Sequence, residues 1–205
     1  MVKIEKIYPK GFGANSYLLT ADGKNAVVID PSGAHVKNAL LARELTPAYV
    51  LLTHCHFDHV LGVASLASMG AKVVCLEQEK SLVGTAADLF EAFGAPRVHY
   101  AVDETVTNGQ TFTLCGITLT AFSTPGHTAG SAVYRLEDGE QKVLFTGDTL
   151  FEGSMGRTDF PTGSAAQMAN SLAFLRSLEG DYHILSGHGE DTTLDTERKY
   201  NPFLV

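Results

Sequence analysis

Short β-rich runs of apolar residues predict strands at Val2–Tyr8, Ser16–Thr20 and Ala26–Asp30, divided by Gly11, Gly13 and the Asp22-Gly23 turn. Between Ala34 and Leu45 the apolar residues Val36, Ala39, Leu40, Leu41 and Leu45 recur in a helical rhythm with charges between them. Tyr49–Leu52, after Pro47, reads as a buried strand. Val60–Met69 reads as a helix, Lys72–Leu76 as a strand, and Leu82–Phe93 as a helix ended by Gly94 and Pro96. Four further strands follow at Thr111–Leu114, Ile117–Phe122, Ser131–Leu136 and Lys142–Phe145, set apart by Asn108-Gly109, Gly116 and Asp138-Gly139. A late helix at Ala165–Leu178 and a strand at His183–Leu185 complete the pattern. Mixed strands and helices, then a strand-rich middle, predict an α/β fold of two sheets with helices packed outside.

A chain of 205 residues suits one domain spanning 1–205, and a globule of that length buries roughly 70% of its unfolded surface without staples. Hydrophobic residues at 44% against 19% charged exclude a disordered chain. Lys plus Arg total 15 against 23 Asp plus Glu, a net charge of −8, which argues against a nucleic-acid partner. No apolar run approaches the ~20 residues of a membrane helix. The three cysteines at 55, 75 and 115 read as free thiols, with Cys75 and Cys115 in apolar strands of the core. Residues 1–6 lack the apolar stretch of a signal peptide, so the expected compartment is the cytoplasm.

Three of the eight histidines fall within Thr53-His54-Cys55-His56-Phe57-Asp58-His59, after one apolar strand and before a helical pattern. On extended backbone His54 and His56 point the same way, and two imidazoles on one side can share a divalent cation at ~2.0–2.1 Å. Cys55 alternates away from that pair. Asp58 and His59 lie where the loop enters the helix and can serve a second cation. The same design recurs after later strands: Gly126-His127-Thr128, Thr146-Gly147-Asp148-Thr149 and Ser186-Gly187-His188-Gly189 each set one His or Asp beside glycines that let backbone come close. One such loop is a turn; four together predict a metal centre. His35, His99 and His183 fall outside these loops and read as surface or packing residues.

The His-x-His-x-Asp-His run at 54–59, with Asp30-Pro31-Ser32-Gly33 at an earlier strand end, resembles the metallo-β-lactamase superfamily. The resemblance implies a four-layer αβ/βα sandwich with its site at one sheet edge. It implies one metal on His54, His56 and His127, a second on Asp58, His59 and His188, and Asp148 bridging them, while Asp30 shapes the site without binding metal. An Asp at 148 and a His at 56, with the stretches Gly153–Phe160, Gly187–Thr192 and Asn201–Leu204, look most like the short glyoxalase II-like enzymes. Against full-length glyoxalase II, the C-terminal helical domain that grips glutathione is expected to be missing.

That likeness implies a thioesterase acting on S-acylglutathione or a related small thioester. Two divalent cations would hold the hydrolytic hydroxide between them, zinc foremost, with iron or manganese admitted by the same donors. Asp58 would orient the hydroxide and take its proton, and the thiolate would leave without a dedicated acid. Arg157 is expected either to fork a substrate carboxylate or to pair with an acidic neighbour; Phe57 and Met155 line the entrance or pack beneath it. The alternative is a persulfide dioxygenase, which Thr53-His54-Cys55-His56 and Gly156-Arg157-Thr158-Asp159 also resemble, with one ferrous ion on His54, His127 and Asp148. A non-enzymatic metal module would close its coordination shell with further protein ligands, whereas this donor set leaves open positions.

Overall fold

The computed structural model describes residues 1–204. The first sheet is built in chain order from β1 (Lys3–Ile7), β2 (Ser16–Thr20), β3 (Asn25–Ile29), β4 (Thr46–Leu52), β5 (Lys72–Leu76) and β6 (Glu104–Val106). β7 (Thr111–Leu114), β8 (Ile117–Ser123), β9 (Ala132–Asp138) and β10 (Gln141–Gly147) begin the second. A small hairpin of β11 (Leu150–Phe151) and β12 (Ser154–Met155) follows, and β13 (His183–Ser186) and β14 (Thr192–Thr193) complete the second sheet in the order β14-β13-β10-β9-β8-β7.

Strand alternation writes the layers. Tyr17, Leu19, Val27, Ile29, Leu51 and Val74 face Leu119, Tyr134, Leu136 and Phe145 of the opposite sheet. The intervening Leu18, Val28, Val50, Leu52 and Val73 face outward onto α1 (Ala34–Ala42), α2 (Phe57–Val60) and α3 (Val63–Ala67). α4 (Glu77–Lys80) follows β5 directly. On the far side Val133, Leu144 and Ile184 pack against α5 (Ala165–Ser177) and α6 (Leu194–Tyr200). Central strands buried on both faces read as near-continuous apolar runs for this reason. Helices, two sheets and helices again form the expected four-layer αβ/βα sandwich. No helix among the described residues is long and apolar enough to cross a membrane.

The topology puts the chemistry at one edge. β3, β4, β5 and β6 pair in parallel, as do β10 and β13. β8 runs with β10 because both are antiparallel to β9. The loops after β3, β4, β8, β10 and β13 therefore open together.

Several expected elements differ. Leu82–Phe93 is not a helix but turns around a short 3₁₀ segment at Ala86–Asp88. Gly84 at φ +80 and Leu89 in a left-handed conformation at φ 64 break the helical path, and Ala87, Leu89 and Phe90 are buried individually. The Val60–Met69 helix starts at Phe57 and is split at Gly62, whose N–H bonds the Pro31 carbonyl at 2.7 Å; a Cβ there would stand 2.8 Å from two backbone oxygens. β4 begins before Tyr49 and contains Pro47, accommodated by a register shift between Ala26 and Val27 of β3. Cys115 lies in the turn between β7 and β8 at φ 49, partly exposed and outside the strands.

Candidate metal centre

β4 delivers its loop in a fixed pose because Thr53 is tied down by Asp30 at the end of β3. The Thr53 N–H donates to Asp30 Oδ1 at 2.8 Å and its hydroxyl to Oδ2 at 2.6 Å. With that hydroxyl proton committed, Thr53 Oγ1 accepts from His54 Nδ1 at 3.1 Å. Asp30 Oδ2 also accepts from His59 Nδ1 at 2.9 Å, and the Arg157 carbonyl accepts from His127 Nδ1 at 2.7 Å. Holding Nδ1–H in this way fixes the tautomer and turns the Nε2 lone pair inward, the support metal-binding histidines need. Asp30 thus shapes the site from behind, as expected.

The inward atoms meet at one focus. Donor atoms of His54, His56 and His127 lie within 4.8 Å of one another, as do those of Asp58, His59 and His188 and those of His54, His59 and Asp148. Asp148 stands between the two outer groups: Oδ1 is 3.2 Å from His59 Nε2, and Oδ2 is 3.4 Å from His127 Nε2 and 3.6 Å from His188 Nε2. Asp58 Oδ2 sits 3.1 Å from His188 Nε2. All seven side chains singled out in the sequence converge.

Burial tests whether cations suit the cluster. Nε2 of His54, His56, His59 and His127 and Oδ1 of Asp148 are buried with no hydrogen-bond partner among the described residues. An orphaned buried polar atom costs about 1–3 kcal/mol, so five gathered around one point fit a set of metal ligands. Burial, then the neighbouring imidazoles, holds His54 well below its ordinary pKa, and burial with His127 brings His56 to about 3. Burial works hardest against Asp58 and Asp148, yet the surrounding histidines, His59 foremost and His188 with it, together outweigh it and keep both carboxyls below their usual range. His59 is raised despite burial because Asp148, Asp58 and Asp30 surround it. His54, His56 and the two carboxylates are thus held in the forms that bind metal, and at His59 a cation would take the place of the Nε2 proton.

One support was not legible in the chain. Glu79, on α4, is fully buried and accepts from the Cys55 N–H at 2.7 Å and the Thr128 hydroxyl at 2.8 Å. It thereby joins the loop carrying His54 and His56 to the loop carrying His127. One acidic residue after an apolar strand gives little signal of this. Gly187 makes the close approach expected of it: a Cβ there would lie 2.3 Å from Asp148 Oδ1 and 2.6 Å from the His59 ring.

Above the cluster opens a cleft of about 900 Å³ with His56, Asp58, His127, Asp148 and His188 on its floor. Phe57 and Met155 line it, and so does Arg157. The Arg157 Nε and Nη2 donate to Asp159 at 2.6 and 2.7 Å while its guanidinium lies 3.9 Å from the Phe160 ring centre. Of the two expected uses, the structure shows the acidic-neighbour pair.

A family model described as the Metallo-beta-lactamase superfamily matches residues 9–188. The chain belongs to the metallo-beta-lactamase superfamily. Hydroxyacylglutathione hydrolase GloC of Haemophilus influenzae is 35% identical over 212 residues, covering 99% of this chain and 98% of that protein. Among solved structures, BLEG-1 B3 metallo-beta-lactamase superposes with a TM-score of 0.90 at 32% identity, covering 99% of this chain and all of that one. TTHA1623, in a di-iron-bound form, gives 0.83 at 32% identity, with 97% and 100% covered. In this superfamily member the seven-residue cluster and its Asp30 brace occupy the open edge of the sandwich.

Proposed function

We propose that the chain is a thioesterase of glyoxalase II type, acting on S-acylglutathione or a related small thioester with two divalent cations in the His/Asp cluster. His54, His56 and His127 would hold one cation, Asp58, His59 and His188 the other, and Asp148 both. The placing of Asp148 between two three-donor groups carries this reading, and the likeness to GloC supports it. Zinc and iron both suit mixed imidazole and carboxylate donors, and the relative TTHA1623 was solved with two irons.

Such a pair, when bound, lowers the pKa of water toward 7 and stabilises negative charge developing on a carbonyl oxygen. The residues of the chain supply the rest. Asp58 Oδ2 faces the centre beside His188 and is kept ionised, so it can orient the attacking water and receive its proton. A C–O bond forms, the C–S bond breaks, and a carboxylic acid and a thiol are released. A thiol leaving group with a pKa near 8.5 departs as thiolate without a general acid.

Elemental analysis of the purified protein, paired with hydrolysis of S-lactoylglutathione, tests the proposal. Two metals per chain and released thiol are expected, and His54→Ala and Asp148→Asn should lose metal and turnover together. Full turnover in either variant overturns the ligand assignment. A single iron per chain with oxygen uptake on a persulfide would put the dioxygenase reading in its place.

A further inference from the structure

Aromatic rings lead outward from the metal cluster in an unbroken series. The Phe160 ring stands edge-on to His56 at 5.7 Å, Phe93 meets Phe160 at 5.8 Å, and Phe57 stacks on Phe93 at 5.1 Å. Phe93 remains 55% exposed and Phe12, on the loop between β1 and β2, 91% exposed, and both line the same cleft. Large apolar side chains gathered around one opening mark a surface that something apolar covers. The covering group must reach the floor, since the aromatic series begins at His56.

The three phenylalanines of this wall present no polar group, while Lys10, Ser154 and Arg157 also line the cleft. The Arg157 fork is committed to Asp159, and its flat face lies on Phe160, so it is not free to hold a carboxylate. A lactoyl group, with one methyl and one hydroxyl, would cover little of an aromatic wall built from Phe160, Phe93 and Phe57. Resting on the thioesterase reading above, we infer that the site takes thioesters bearing a long-chain or aromatic apolar arm close to the scissile carbonyl, seated against Phe160, Phe93 and Phe57. The arm can stand on the acyl side or on the thiol side, and the chemistry that binds it is the same.

Two substrate series separate those sources. In S-acetyl, S-butyryl, S-hexanoyl and S-octanoyl glutathione the acyl arm grows; in acetyl thioesters of ethanethiol through octanethiol the thiol arm grows. The inference expects kcat/KM to climb roughly two- to fourfold per methylene in one series, and Phe93→Ala to flatten that climb. Binding of octanoate to the metal-loaded protein, followed by saturation-transfer NMR and compared with acetate, gives a readout independent of turnover. Octanoate should bind, with contacts weakened in Phe93→Ala. Flat kcat/KM in both series, or octanoate binding no better than acetate, overturns the inference and leaves the thioesterase reading standing. Octanoate bound at Phe93 with no thioester hydrolysed supports the apolar arm and overturns the thioesterase reading instead.

Discussion

Replacing Glu79 by alanine should cost both stability and metal. Its carboxylate takes the Cys55 N–H at 2.7 Å and the Thr128 hydroxyl at 2.8 Å in a fully buried setting. Alanine strands the Cys55 N–H, and a buried donor without a partner costs about 1–3 kcal/mol. Thr128 retains Ser131 Oγ at 2.8 Å, which limits its share to about 1 kcal/mol. The removed side chain also leaves a cavity, so a total of about 3–4 kcal/mol follows. For a chain of this size that is a fall in Tm of roughly 6–16 °C. The two loops Glu79 joins carry His54, His56 and His127, so loosening them should weaken metal binding by about 10–100-fold, the range seen when support behind a ligand is removed. Glu79→Gln keeps one acceptor oxygen and should fall between alanine and the parent. Thermal unfolding followed by circular dichroism, with and without EDTA, and a competitive chelator titration read both effects. A Tm within 2 °C of the parent together with unchanged metal affinity would refute the clamp.

Gly187→Ala places a methyl group against Asp148 Oδ1 and the His59 ring; metal content by elemental analysis should drop while the apo-protein keeps most of its melting temperature. Hydrogen bonding from Arg157 lowers the Asp159 pKa to about 2. A depressed acid stabilises the fold above its unfolded pKa, so this pair contributes at pH 5, fades as pH falls through about 2, and should titrate near its ordinary value by carboxyl NMR in Arg157→Ala. Burial raises the Cys55 thiol and pushes Cys75 up to about 12, whereas Cys115 is partly exposed. Ellman's reagent on the native protein should therefore react first with one thiol, lost in Cys115→Ser, and with all three only in denaturant; two fast thiols would contradict the packing.

The centre and its Asp30 brace were legible in the chain, and the Glu79 clamp was not. His54, His56, Asp58, His59, His127, Asp148 and His188 announce themselves because a metal site demands particular residue types at strand ends, and those types are scarce in loops. Apolar, β-rich runs bounded by turn residues located most strands, including β2 and β5 to the residue. Where tertiary contacts override local preference, the pattern misled. Leu82–Phe93 has the composition of a helix, but Gly84 and Leu89 turn the chain and bury Phe90 against the first sheet's outer face. α6 escaped notice for the opposite reason, being seven residues of mostly polar sequence held by Leu194 and a Thr193 cap. Glu79 matters only through partners 24 and 49 positions away, a relation that no local window contains.

The strand directions that gather the ligand loops at one rim send the β2–β3, β7–β8 and β9–β10 turns to the opposite rim. Gly23 and Gly139, in two of those turns, face open space, and Cys115 sits in the third. That far rim is a natural handle: a dye, a spin label or a surface tether attached there would leave the cleft unobstructed. Immobilised through Cys115, the protein should present its open face to solution in one uniform orientation.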